Sequence, residues 1–287
     1  MAELLRLAAF TQDPAGGNPA GVWIGDTLPR PDEMLAIAGR VGDSETAFLA
    51  PDRSGRERAY RVRYFSVAAE VPFCGHATIA SGVALAGRGG TGRYVLETND
   101  GPVTVDSALG PDGAIRATLT SVPASARAAD PELLREALAA LRWAPKELDP
   151  ALPPAIGYAG AHHLIVAAGS DARLRNLDYD FDRLRTAMLT AELTTVQLIL
   201  RERPDHFRAR DPFPVGNVVE DPATGAAAAA LGAYLRWRRE LRPPARFTIS
   251  QGTEMGRPSW IDVDVPDESG GIRVTGTAVR IELPRGS

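Results

Sequence analysis

Glu70-Val71-Pro72-Phe73-Cys74-Gly75-His76-Ala77-Thr78-Ile79-Ala80-Ser81-Gly82-Val83-Ala84-Leu85 recurs as Glu220-Asp221-Pro222-Ala223-Thr224-Gly225-Ala226-Ala227-Ala228-Ala229-Ala230-Leu231-Gly232-Ala233-Tyr234-Leu235. Aligned without a gap, Glu70/Glu220, Pro72/Pro222, Gly75/Gly225, Ala77/Ala227, Ala80/Ala230, Gly82/Gly232 and Leu85/Leu235 are identical. Identities at one constant spacing indicate an internal repeat and hence two related halves. Two such halves meeting face to face make a cleft, which the loops opening both copies are expected to border.

Each copy reads as a loop that turns into a helix. Pro72 and Pro222 cannot lie inside a regular helix, while the small and apolar residues after each glycine suit a helix buried on nearly all sides. Cys74 and His76 stand in the first loop, Asp221 and Thr224 in the second. Two helix N-termini at one cleft would also present backbone N–H groups and positive dipole ends to an anion.

Around this repeat the chain alternates strands and helices. Strands are expected at residues 4–10, 21–24, 46–49, 60–65, 94–97, 103–106 and 115–119, with a Gly17-Asn18-Pro19 turn between the first two. Helices are expected at 31–40 and 130–143, and the proline-rich stretch 144–154 reads as a connection. The second half carries strands at 163–167, 195–200, 207–210, 246–250, 260–265, 272–274 and 279–283, and a helix at 181–192. These boundaries predict units of 1–120 and 121–287, with a last strand that can return to the first unit.

Composition narrows the classes. A chain of 287 residues with 44% hydrophobic content can fill two cores. The 32 basic and 36 acidic residues are dispersed and the net charge is −4, so no nucleic-acid footprint is expected. Lys146 is the only lysine, which excludes Schiff-base chemistry elsewhere. One cysteine cannot form an intramolecular disulfide, and no targeting or membrane-spanning stretch is evident, so a cytoplasmic, membrane-free protein is expected. Four scattered histidines, with His162 and His163 adjacent and His206 alone, do not form a recognisable metal site, and no metal is expected.

Six segments in order resemble the phenazine biosynthesis PhzF-like family: Gly17-Asn18-Pro19-Ala20-Gly21-Val22, Ser44-Glu45-Thr46-Ala47-Phe48, Arg63-Tyr64-Phe65 with Glu70, Cys74-Gly75-His76-Ala77-Thr78, Glu220-Asp221-Pro222-Ala223-Thr224-Gly225, and Gln251-Gly252 with Met255-Gly256-Arg257-Pro258-Ser259. The resemblance implies the diaminopimelate epimerase-like α+β fold: two pseudo-symmetric domains, each a curved, mostly antiparallel sheet around a central helix. It further implies a homodimer that isomerises a small carboxylic acid without a cofactor. Glu45 falls in the segment similar to the one that holds the family's catalytic glutamate, with His76 and Asp221 in support. Asn18, Gly75, Gly225 and Ala226 fall at substrate-binding positions, although Ala226 replaces a serine often found there, which changes how a substrate carboxylate is recognised.

Taken alone, these residues have ordinary explanations: Glu45 as a strand-end acid, His76 as a loop histidine, Asp221 as a helix cap. As a proton shuttle, Glu45 needs burial or a negative neighbour to lift its pKa from about 4.3. His76 at a helix N-terminus is expected to be neutral and to orient substrate or relay a proton. Cys74 reads first as a small residue beside the cleft. It also supports an alternative, since Cys74-Gly75-His76 is similar to the first catalytic loop of proline-racemase and diaminopimelate-epimerase enzymes. Thr224 at the repeated position cannot serve as the second thiol, so that alternative is a one-cysteine racemase or epimerase. A non-catalytic small-acid binding protein is the third reading.

Overall fold

The computed structural model describes residues 2–267 and 270–283. The chain divides into two compact units, one running to Thr120 and completed by the chain from Thr275 onward, the other Ser121–Val274. Six α-helices lie among the described residues.

The first unit begins with β1 (Glu3–Ala9), β2 (Asn18–Ile24), α1 (Pro31–Val41) and β3 (Glu45–Pro51). It continues through β4 (Ala59–Ser66), β5 (Glu70–Val71), α2 (Gly75–Gly89), β6 (Gly92–Thr98), β7 (Gly101–Leu109) and β8 (Ile115–Thr120). Strand β1 pairs β2 antiparallel, β2 pairs β3 parallel, β3 pairs β4 antiparallel, β4 pairs β6 parallel and β6 pairs β7 antiparallel. The short β5 lies antiparallel on β4.

Helix α2 is buried at every position from His76 to Ala86. Such burial on all sides is possible because the helix is narrow. A Cβ on Gly82 would stand 2.5 Å from Val105 and 3.0 Å from Ala117, so glycine is what lets α2 approach β7 and β8.

The second unit holds β9 (Ser125–Ala128), α3 (Pro131–Leu141), β10 (Ala155–Tyr158), β11 (His162–Ala167), α4 (Asp171–Arg175) and α5 (Phe181–Thr190). Then come β12 (Leu193–Arg203), β13 (His206–Phe213), β14 (Val218–Asp221), α6 (Gly225–Trp237), β15 (Ala245–Gln251) and β16 (Ser259–Val265). The pairings run in the same succession as in the first unit: β10 with β11 antiparallel, β11 with β12 parallel, β12 with β13 antiparallel, β13 with β15 parallel, and β15 with β16 antiparallel. Strand β14 lies on β13 as β5 lies on β4. Helix α6 is buried from Ala227 through Leu235, and Gly232 packs where a Cβ would meet Ile272 at 2.9 Å.

The last strand, β17 (Arg273–Arg280), pairs β1 and β8, which closes the first unit's strands into a ring. Three expectations change here. Residues 272–274 and 279–283 do not form separate strands, because Gly276 carries the strand across a position that Phe10 fills. Asn18 and Pro19 begin β2 rather than forming the turn; the turn residue is Gly17, at φ +67°. The short strands β9 and β10, which the sequence reading passed over, pair with each other.

Candidate active site

In the first unit the chemistry gathers where β3 begins and α2 begins. Glu45 is the first residue of β3, and Cys74 caps α2 in an extended conformation (φ −144°, ψ 115°). The Cys74 carbonyl accepts from the Thr78 hydroxyl at 2.7 Å, and Thr78 in turn bonds the Tyr64 phenol at 2.6 Å. Burial pushes that phenol up from its ordinary pKa, so Tyr64 stays a neutral strut beneath the loop.

Three side chains converge on this platform. The Cys74 thiol donates toward Glu45 Oε2 at 3.5 Å, and its Sγ lies 3.4 Å from His76 Nδ1. His76 Nε2 is 3.6 Å from Glu45 Oε2 and 3.5 Å from the Ser44 hydroxyl. These are contacts at the long edge of hydrogen bonding, of the kind that tighten when a substrate enters. The Glu45 side chain is 20% exposed and that of His76 8%, so solvent reaches the carboxylate more readily than the ring. Cys74 therefore touches both Glu45 and His76. The sequence reading sought a metal set among histidines alone and so did not join Glu45, Cys74 and His76, whose ligand-type atoms all lie within 4.8 Å of one another.

In the second unit Asp221 ends β14 and Thr224 caps α6. The Thr224 hydroxyl donates to Asp221 Oδ2 at 2.6 Å. Gln251, buried at the end of β15, donates to the Asp221 carbonyl at 2.8 Å and the Thr224 hydroxyl at 3.0 Å, and accepts from the Thr224 N–H at 3.2 Å. Gly252 behind it has φ +75°, and a Cβ there would strike the Arg257 carbonyl at 2.4 Å. The sequence flagged the Gln251-Gly252 pair but not this clamp, which draws on segments far apart in the chain.

Beneath Asp221, across the β13–β14 ladder, lies Asp211. Burial first, and the negative charge of Asp221 second, push the Asp211 carboxyl well above its usual range. It accepts from Thr195 at 2.9 Å, and Thr195 is 2.8 Å from His163 Nδ1. Burial holds the His163 ring neutral, pushed down to about 3.

Each loop is also braced by a forked arginine–glutamate pair. Arg63 donates to both oxygens of Glu70 at 2.7 and 2.5 Å, and Arg210 to both oxygens of Glu220 at 2.9 and 2.6 Å. The guanidinium holds the Glu70 carboxyl below its usual range.

Gly75 and Gly225 are the first helical residues of α2 and α6. Neither helix has a side-chain hydrogen bond from its cap residue or an acid in its first turn, whereas Asp130 caps α3 and Asp180 caps α5. Ala226 follows in the first turn of α6, half-buried, and Asn18 sits at the start of β2, 2% exposed.

The family model of phenazine biosynthesis-like proteins (PhzC-PhzF) matches residues 7–282. An uncharacterized isomerase of Bacillus subtilis, YfhB, is 31% identical over 98% of this chain and 97% of its own length. The trans-2,3-dihydro-3-hydroxyanthranilate isomerase of Pseudomonas fluorescens is 31% identical over 88% of this chain and 86% of its own. A solved structure from Pseudomonas aeruginosa, described as a predicted epimerase, superposes with a TM-score of 0.85 at 25% identity over 100% of both chains. With nearly the whole sequence matched, the chain belongs to the phenazine biosynthesis-like protein family.

Proposed function

We propose that this chain, an isomerase of its family, moves a proton within a small carboxylic acid, with Glu45 taking and returning the proton. The observation that carries this reading is the Glu45 carboxylate held 3.5 to 3.6 Å from a thiol and an imidazole at the start of a buried helix. A carboxylate in that position can accept a proton from carbon and give it back to a neighbouring carbon, which general acid–base catalysis requires. His76 orients the substrate or passes the proton, and Asp221 holds a substrate amine or hydroxyl. The N–H groups at Gly75, Gly225 and Ala226 suit a carboxylate, because no side chain of the cap residue and no first-turn acid competes for them. Asn18 is assigned to substrate binding with them. The repeated pairing order supports two units built on one plan; that the enzyme works as a homodimer in the cytoplasm is part of the same proposal and rests on the family resemblance alone.

The test is proton exchange in deuterated water. Candidate cyclic and amino carboxylic acids are incubated with enzyme and deuterium uptake is read by mass spectrometry. Glu45→Gln keeps the side chain's size but cannot cycle a proton, and is expected to lose about 100-fold or more in turnover with ligand affinity nearly unchanged. Undiminished exchange in Glu45→Gln removes Glu45 from the mechanism.

A second reading, the one-cysteine epimerase, is favoured by the contacts of Sγ with both Glu45 and His76. Cys74→Ala separates the two. Under the carboxylate reading it folds and keeps most of its turnover, even with an alkylating reagent present. Loss as deep as that of Glu45→Gln, with the fold intact, makes the thiol the base.

A further inference from the structure

The same three side chains have a property that proton transfer does not need. Cys74 Sγ, Glu45 Oε2 and His76 Nε2 form a triangle with sides of 3.5, 3.6 and 3.8 Å. A tetrahedral ion with bonds of about 2.0 to 2.3 Å to nitrogen, oxygen and sulfur sets its ligand atoms roughly 3.3 to 3.8 Å apart. One thiolate, one imidazole and one carboxylate also make a donor set suited to zinc rather than to calcium or magnesium, which take oxygen. We infer that Glu45, Cys74 and His76 form a three-ligand site for a zinc-type divalent ion, with the fourth position open.

Charge supports the assignment and limits its strength. Thiolate and carboxylate together carry two negative charges and neutralise the ion. The positive end of α2 opposes it, because Cys74 caps that helix and His76 stands in its first turn. Binding is therefore weaker than at a structural zinc site, and reversible. The thiol gives up its proton to solvent as the metal–sulfur bond forms, so affinity rises with pH. His76 Nδ1 is closer to Sγ than Nε2 is, at 3.4 against 3.8 Å, so a turn of the ring about its Cβ–Cγ bond selects which nitrogen binds. An ion held here engages Glu45 and blocks proton transfer, which makes the site inhibitory.

Cobalt(II) is the probe, because a tetrahedral cobalt thiolate has a sulfur-to-metal charge-transfer band in the near ultraviolet. Titration of reduced, metal-free protein is expected to give this band at one cobalt per chain, with loss of the band on adding zinc. Cys74→Ser, checked for fold by circular dichroism, abolishes the band. Glu45→Gln keeps it but weakens cobalt binding by about tenfold or more, and His206→Gln, which is not one of the three cluster side chains, titrates as wild type. Absence of the band in wild-type protein whose thiol is shown to be reduced overturns the inference. So does a band that survives Cys74→Ser, or a Glu45→Gln affinity equal to wild type. No substrate enters the measurement, so its failure is separate from failure of the isomerase reading.

Discussion

The loop before α2 and the loop before α6 share a frame and differ in chemistry. Both follow a forked Arg–Glu pair, both carry proline two residues after the glutamate, and both enter a narrow buried helix at glycine. In the first, thiol, imidazole and carboxylate lie 3.4 to 3.6 Å apart. In the second, hydroxyl, carboxylate and amide are locked by bonds of 2.6 to 3.0 Å. Long contacts leave groups ready to exchange partners, whereas short ones hold a shape. The comparison separates a loop whose side chains are loosely joined from one whose side chains are tightly bonded to each other.

The bracing pairs break this comparison most directly. The Arg210–Glu220 side chains are 10% and 4% exposed, those of Arg63–Glu70 22% and 28%. Arg210→Met strands a buried carboxylate and is expected to cost about 3 kcal/mol or more. Arg63→Met leaves Glu70 partly in water and is expected to cost about 1 kcal/mol. Urea unfolding measures both; equal losses would mean that burial does not distinguish the two braces.

Acid sharpens the difference next. The His163 ring is neutral when folded, with a pKa of about 3 against 6.5 for the free side chain. The unfolded chain binds a proton that the buried ring refuses, so its contribution is complete above pH 6.5 and is lost as pH falls toward 3. Asp211 acts oppositely: its raised value makes its contribution greatest in acid and smaller as pH rises. His163→Gln is expected to remove the first trend, changing the stability difference between pH 6.5 and pH 5 by about 2 kcal/mol relative to wild type. Parallel pH profiles for variant and wild type would contradict this account of the ring.

The smallest contrast concerns the central helices. Gly82→Ala brings a methyl to 2.5 Å from Val105, Gly232→Ala to 2.9 Å from Ile272. Costs of about 2 and about 1 kcal/mol are expected, in that order, from thermal unfolding. A reversed order would show that the surroundings of α2 yield more easily than those of α6.

Much of this was legible in the sequence because it is local. The helix starts at Gly75 and Gly225 follow from a proline-bearing loop running into small residues, and alternation marked the strand β4. The errors also have local causes. The exposed β9 lacks an apolar alternation, and Gly276 resembles a break because the ring of Phe10, which occupies the space beside it, comes from the other end of the chain.

By itself the sequence determined the repeat, the order of the longer elements, the family resemblance and the short set of candidate residues, since each of these is written in neighbouring positions. Tertiary structure decided which candidates meet. Cys74 and Glu45 are 29 residues apart, and only the packing of β3 beside the start of α2 makes one cluster of a strand-end acid, a cap residue and a first-turn histidine. Gln251 became the clamp of the Asp221–Thr224 loop, and Arg210–Glu220 the buried brace, for the same reason. Side-chain distance and burial depend on pairings between remote strands, which no local pattern encodes.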